Sequence, residues 1–183
     1  MRKKVLAALL AAAVAGTTVM AGTAVFAAEN TEGAKAAGGN ITIAETTDPQ
    51  NINPLYVVDQ TSFDMMQALY SPFFEIVNGE MYYENGLCES VTANDDASEF
   101  TLKLKDGLKW HDGQPITADD VVFTMQVLVD EKQNVPYSSY GYVNDKAVEA
   151  EKVDDLTVKI SLGSSSAGFL GGLSQVYCIP KHI

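Results

Sequence analysis

Apolar and polar positions change period several times along the chain, and each change marks an element. Residues 5–22, VLAALLAAAVAGTTVMAG, are almost wholly small and apolar and follow the basic head MRKK. That pairing, closed by the small residues Val25 and Ala27, predicts an export signal over residues 1–27, cut between Ala27 and Ala28. The run is rich in Ala, Gly and Thr and poor in Leu and Ile, which favours cleavage over a membrane anchor. Residues 28–40 are small, polar and aperiodic and read as a flexible linker. Ordered structure is predicted from Ile41, where ITIAE sets Ile41, Ile43 and Glu45 against Thr42 and Ala44 in the alternation of a strand.

The next stretch, residues 46–60, contains Asp48-Pro49 and Asn53-Pro54, neither compatible with a continuing helix, and so is a loop. Beyond it Thr61 or Ser62 can cap a helix whose buried stripe is Phe63, Met66, Leu69 and Tyr70, ended by Pro72. The period then falls to two. FFEIV, EMYYE and LCESVTA read as short strands joined by Asn78-Gly79 and Asn85-Gly86, because Asn-Gly readily takes the positive backbone angles of a type I′ turn. After the polar turn NDDAS, the run EFTLKLK sets Phe100, Leu102 and Leu104 against Thr101, Lys103 and Lys105, a half-solvated strand. LTVKISL repeats the pattern with Leu156, Val158, Ile160 and Leu162 inward, and GFLGGLSQVYCIPKHI reads as a helical turn followed by a strand. Pro180 suits the first turn of a new helix, yet three residues follow it, so the chain reads as a piece of a longer protein.

Charge narrows the partners. Without residues 1–27 the chain keeps nine lysines, no arginine and all 24 acidic residues, a net charge of −15. Such a surface repels phosphate backbones and anionic headgroups, which disfavours nucleic-acid and membrane-surface binding. Lacking arginine, it can build no bidentate guanidinium clamp. Cys88 and Cys178 lie in apolar runs of an exported chain; a disulfide is open to them, but buried unpaired thiols are the simpler reading.

Residues 104–123, LKDGLKWHDGQPITADDVVF, concentrate the only tryptophan, a histidine and four aspartates. Asp106-Gly107 and Asp112-Gly113 are turn dipeptides around Trp110, while Thr117 can cap a helix with Asp119 and Asp120 in its first turn, where the helix dipole favours carboxylates. Val121, Val122, Met125, Leu128 and Val129 supply that helix's apolar face. A metal site needs several ligands at suitable spacing, and His111 has no histidine partner within a helical turn. No stretch fits an EF-hand, and GSSSAG, residues 163–168, is neither a nucleophile elbow nor a phosphate loop. Asp95-Asp96 and Asp154-Asp155 fall in predicted turns. The motif is therefore read as structural, with no catalytic residue, metal or cofactor expected.

The run FTLKLKDGLKWHDGQPITADDVVFTM resembles the signature of bacterial extracellular solute-binding proteins of family five, the oligopeptide, dipeptide and nickel-binding components of ATP-driven importers. Ile52-Asn53-Pro54, ALYSPFFE, DDLTVKISL and the closing IPKHI agree with it in order and spacing. The resemblance implies a two-lobed α/β fold of the periplasmic-binding-protein type II class. Residues 41–70 and 171–183 would belong to the first lobe and residues 71–170 to a β-rich subdomain inserted in it. It further implies that the loop Val57, Val58, Asp59, Gln60 and Thr61 pairs with the backbone of a bound peptide, and that Tyr137, in VPYSSY, faces the same solute. The implied partners are a small solute, a peptide or something similar, and an ABC permease in the membrane, with the receptor itself a monomer. Gram-positive members usually carry a lipobox cysteine; Thr23 stands in its place, so lipid anchoring there is chemically impossible and release into the periplasm or medium is expected. A secreted hydrolase and an envelope structural or adhesion module are the alternatives from other classes.

Overall fold

Runs of alternating apolar and polar residues pair into the main sheet of the protein, whose computed structural model describes residues 42–183. The predicted signal, the linker and Ile41 lie outside the described residues. The chain enters through helix α1 (Gln60–Leu69), passes the hairpin β1 (Glu75–Val77) and β2 (Glu80–Tyr82), and reaches β3 (Cys88–Ala93) and β4 (Glu99–Leu104). Helix α2 (Ala118–Val129), two short 3-10 turns and the small hairpin β5 (Tyr142–Val143) and β6 (Lys146–Ala147) follow. Strands β7 (Glu149–Asp154) and β8 (Thr157–Ser161) return to the sheet, and α3 (Phe169–Leu173) closes the chain of elements. The four long strands pair antiparallel in the order β3-β4-β8-β7.

The core sits on one face of this sheet because the pleat sends alternate residues to the same side. Phe100 faces Ile160 and Leu102 faces Val158 across β4 and β8, and all four are buried. The α2 face of Ala118, Val121, Met125 and Leu128 covers them, with the Phe169 ring of α3 tilted 34° against that of Phe100 at 5.5 Å between centroids. The predicted cap is present: the Asp120 carboxylate accepts the Thr117 N–H at 2.9 Å, one half of a capping box. Asn78 (φ 53°) and Gly79 (φ 85°) make the predicted hairpin turn between β1 and β2. Cys88 and Cys178 are free and buried, and burial pushes each thiol up to about 12.

Several expectations are corrected. Residues 42–45 form no strand and Ile43 is 73% exposed; an isolated strand cannot satisfy its own N–H and C=O groups, and no described strand lies beside it. Helix α1 is capped by Asp59, whose carboxylate accepts the Ser62 N–H at 2.9 Å, and not by Thr61 or Ser62. The Ser62 hydroxyl instead accepts the N–H groups of Gln50 and Asn51, so the residue is spent on pinning the proline-rich loop. The apolar stripe of α1 is narrower than predicted, with Met66 buried and Leu69 exposed. Asn85-Gly86 joins no paired strands and neither residue has positive φ; Gly86 matters because a Cβ there would lie 2.5 Å from the Phe73 carbonyl oxygen. Strand β7, EAEKVD, has no apolar alternation and is exposed along most of its length, as an edge strand can be.

The 104–123 motif shapes turns as predicted, with Gly107 (φ 77°) and Gly113 (φ 89°) in the left-handed region and the Asp112 carboxylate holding the Gln114 N–H. Its acidic residues also reach across the molecule to residues 179–183. Asp120 accepts the Lys181 N–H at 2.9 Å, Asp119 pairs with Lys181 and Lys152, and Asp112 lies 2.7 Å from His182 Nε2. The buried Thr124 hydroxyl accepts the Ile179 N–H at 3.0 Å while donating to the Asp120 carbonyl.

Candidate functional site

The loop that carries five of the six predicted site residues is shaped by its own short polar side chains. Asn51 Oδ1 accepts the Asn53 N–H, and Asn53 Oδ1 accepts the Leu55 N–H, two Asx turns in succession. They drive Leu55 into the main core and Val57 into a second small cluster with Met66 and Tyr177. Val58 is left facing outward at 71% exposure, whereas Val57 is 1% exposed. Among the described residues, neither the N–H nor the C=O of Val58 meets a hydrogen-bond partner. Asp59 is extended (φ −118°, ψ 156°), and hydrogen bonds from Ser62 hold its carboxyl below the usual carboxylate range. Its second oxygen, Oδ2, is buried without a partner.

Tyr137 lies 80 positions away in sequence, yet its hydroxyl donates to the Val57 carbonyl at 2.5 Å. The structure thus brings Tyr137 onto the same loop. The six residues play unequal parts within it. Val58, Asp59 and Gln60 offer surface, while Thr61 is buried with its hydroxyl 2.9 Å from that of Thr47. Val57 contributes only a carbonyl already engaged by Tyr137. Beside the loop an open cleft is lined by Glu45, Thr46, Asp48, Thr61 and Met65. Sequence reasoning missed Tyr140, whose ring stacks on Tyr137 at 6.0 Å between centroids and 8° between planes. The spacing of three within YSSY was the available signal, since a 3-10 turn brings residues three apart into register.

Among the described residues no three His, Cys, Asp or Glu side chains gather in a metal-binding group, and no helix is long and apolar enough to cross a membrane. His111 is exposed, and His182 pairs with Asp112 alone. What the loop offers chemically is backbone: one residue's free donor and acceptor at an exposed edge, with an acidic side chain next to it.

Residues 83–182 match the profile of the bacterial extracellular solute-binding proteins, family 5 (middle region). The chain is 30% identical over 157 residues to the oligopeptide-binding protein AppA of Bacillus subtilis, a match covering 85% of this chain and 28% of the relative. Among solved structures it superimposes on the ABC transporter substrate-binding protein CtaP of Listeria monocytogenes with a TM-score of 0.70 at 43% identity, covering 75% of this chain and 28% of that one. The structure of Bacillus subtilis AppA with a nonapeptide gives a TM-score of 0.61 at 30% identity over 71% of this chain and 25% of the other. The chain therefore spans about a quarter of the length of these relatives. The fold class is the expected one, a type II periplasmic-binding-protein-like α/β fold of which the chain forms part. On the sequence profile and on the fold together, the chain belongs to the bacterial extracellular solute-binding proteins of family 5.

Proposed function

We propose that this chain is part of an extracytoplasmic receptor that captures a short peptide or similar solute and delivers it to an ABC permease. The carrying observation is the Val58 backbone, exposed and without a partner, next to a Val57 carbonyl held by Tyr137. An extended peptide adds to such an edge as one more strand, drawing affinity from main-chain hydrogen bonds. The relatives favour this class of solute, since AppA is an oligopeptide-binding protein solved with a nonapeptide.

On this reading residues 41–70 and 171–183 belong to the first lobe and residues 71–170 to the inserted subdomain, with the solute enclosed when a second lobe closes by hinge motion. The protein acts as a monomer, performs no covalent chemistry and needs no cofactor. It is exported by the signal at residues 1–27 and works in the periplasm or at the cell surface. Calorimetric titration of the full-length protein with a peptide library, nickel complexes and sugars tests the assignment. Saturable binding of a peptide, recovered uncleaved afterwards, supports it; turnover of the peptide would point to a hydrolase, and the absence of any saturable solute to an envelope structural module.

A further inference from the structure

Tyr137 reaches the Val57 carbonyl only if its ring is held at the right height above the loop, and three contacts outside the loop set that height. The 3-10 turn Ser138–Gly141 is closed by the Tyr140 N–H on the Tyr137 carbonyl at 3.0 Å. In that geometry side chains three apart eclipse, which lays the two rings face to face, 6.0 Å apart and 8° from parallel. Tyr140 is itself backed by α3: a Cβ on Gly172 would stand 3.1 Å from the Tyr140 Cδ1, so the ring rests directly on the Gly172 backbone. The turn also sits directly on α2: a Cβ on Gly141 would lie 2.5 Å from Val129 Cγ1, and the Tyr142 hydroxyl donates to the Val129 carbonyl at 2.9 Å.

We propose that Tyr140 is a positioning residue for the solute-binding edge: backed by Gly172, it fixes Tyr137 so that the Tyr137 hydroxyl engages Val57 and leaves Val58 to present its free N–H and C=O to the solute. The inference rests on the receptor reading for the role of Val58, but the lever from Tyr140 through Tyr137 to Val57 is a property of the unliganded protein. Tyr140 touches no solute in this account. It acts by keeping one hydrogen bond formed, which limits the loop to a single arrangement of its donors and acceptors.

The test is amide hydrogen exchange, in the full-length, solute-free protein, at Tyr56 and Ser62, whose N–H groups are hydrogen-bonded to Asn53 and Asp59 on either side of Val57 and Val58. Losing one net hydrogen bond corresponds to about a tenfold rise in local opening. Tyr137→Phe and Tyr140→Ala should each accelerate exchange by roughly that factor, while exchange at the core amide of Leu102 stays unchanged. Tyr140→Phe keeps the ring and should restore the wild-type rate. In the double variant, Tyr140→Ala should add nothing to Tyr137→Phe, because both act through the same hydroxyl. Should Tyr140→Ala fail to fold, Tyr140→Leu removes the stacking ring while keeping an apolar side chain against Gly172 and should give the same local acceleration. Additive effects in the double variant, a Tyr140→Phe protein as fast as Tyr140→Ala, or wild-type exchange in Tyr137→Phe would each overturn the proposal. Failure of the receptor reading is distinct: it shows as a wild-type protein that binds no solute while these exchange effects persist.

Discussion

Replacing Gly86 by alanine tests whether this residue is a turn former or a point of close approach. The added methyl would stand 2.5 Å from the Phe73 carbonyl oxygen and 3.0 Å from the Phe74 Cα, both backbone atoms that no rotamer change can move. Relief requires the 86–88 segment to back away from residues 72–74 by about half an ångström or more, since ordinary carbon–oxygen contacts begin above roughly 3 Å. That displacement stretches the Leu87 N–H to Pro72 C=O and Cys88 N–H to Phe73 C=O hydrogen bonds, both 2.9 Å, towards the limit of bonding. Weakening two such bonds costs about 1–2 kcal/mol, and overpacking beside the fully buried Phe73 and Phe74 adds about 1–3 kcal/mol. Lower entropy of the unfolded alanine chain returns about 0.4–1 kcal/mol. The net expectation is a loss of about 2–3 kcal/mol, read in urea as a midpoint lowered by about 1 M. Two controls separate the causes. Gly79→Ala suffers from its φ of 85° alone, with open space around it, and should cost about 1 kcal/mol. Gly171→Ala lies in α3 with open space and ordinary φ, and should be neutral or stabilising by up to about 1 kcal/mol. A Gly86→Ala protein no less stable than Gly79→Ala would refute the close-approach argument.

Three further outcomes are expected. Thr124→Val removes the acceptor of the Ile179 N–H in a fully buried place and should cost about 1–3 kcal/mol in chemical denaturation, whereas Thr124→Ser, which loses only a methyl, should cost nearer 1 kcal/mol. Cys88 and Cys178, pushed up to about 12 by burial, should resist a thiol-reactive dye in the native protein at pH 8 and both react on unfolding; the same raised values contribute stability that is present below the ordinary thiol range and is lost as pH climbs towards 12. Hydrogen bonds or lysine partners hold the carboxyls of Asp59, Asp96, Asp112, Asp119 and Asp154 below the usual range, so their contribution is present at neutral pH and lost as acid protonates them; the denaturation midpoint should hold down to about pH 4 and fall below it. A midpoint that stays flat to pH 3 would contradict the native hydrogen bonds assigned to these groups.

How much was legible in the sequence depended on how local the cause was. Phe100, Leu102 and Leu104 were readable as one strand face because alternation is a property of neighbours, and the Thr117 cap because its partner Asp120 is three residues away. Asn78-Gly79 and Asn85-Gly86 are the same dipeptide in sequence, yet of the two the first makes a hairpin; what distinguishes them is the backbone of Phe73 pressed against Gly86. Strand β7 was invisible for a related reason. An edge strand with both faces largely solvated carries no hydrophobic period, and β8 supplies its reason to be extended.

Sequence alone determined many of the local elements, the family resemblance and the absence of arginine after Arg2, because these follow from residues close together or from composition. It also pointed to Val57 through Thr61 and to Tyr137, though only through the resemblance. Tertiary structure decided that Tyr137 grips the Val57 carbonyl across 80 residues, that Val58 meets no backbone partner among the described residues, and that Asp112, Asp119 and Asp120 hold Lys181 and His182. The physical reason is that hydrogen bonding and burial depend on which groups the packed chain brings within a few ångströms of one another. Separation along the chain carries no record of that.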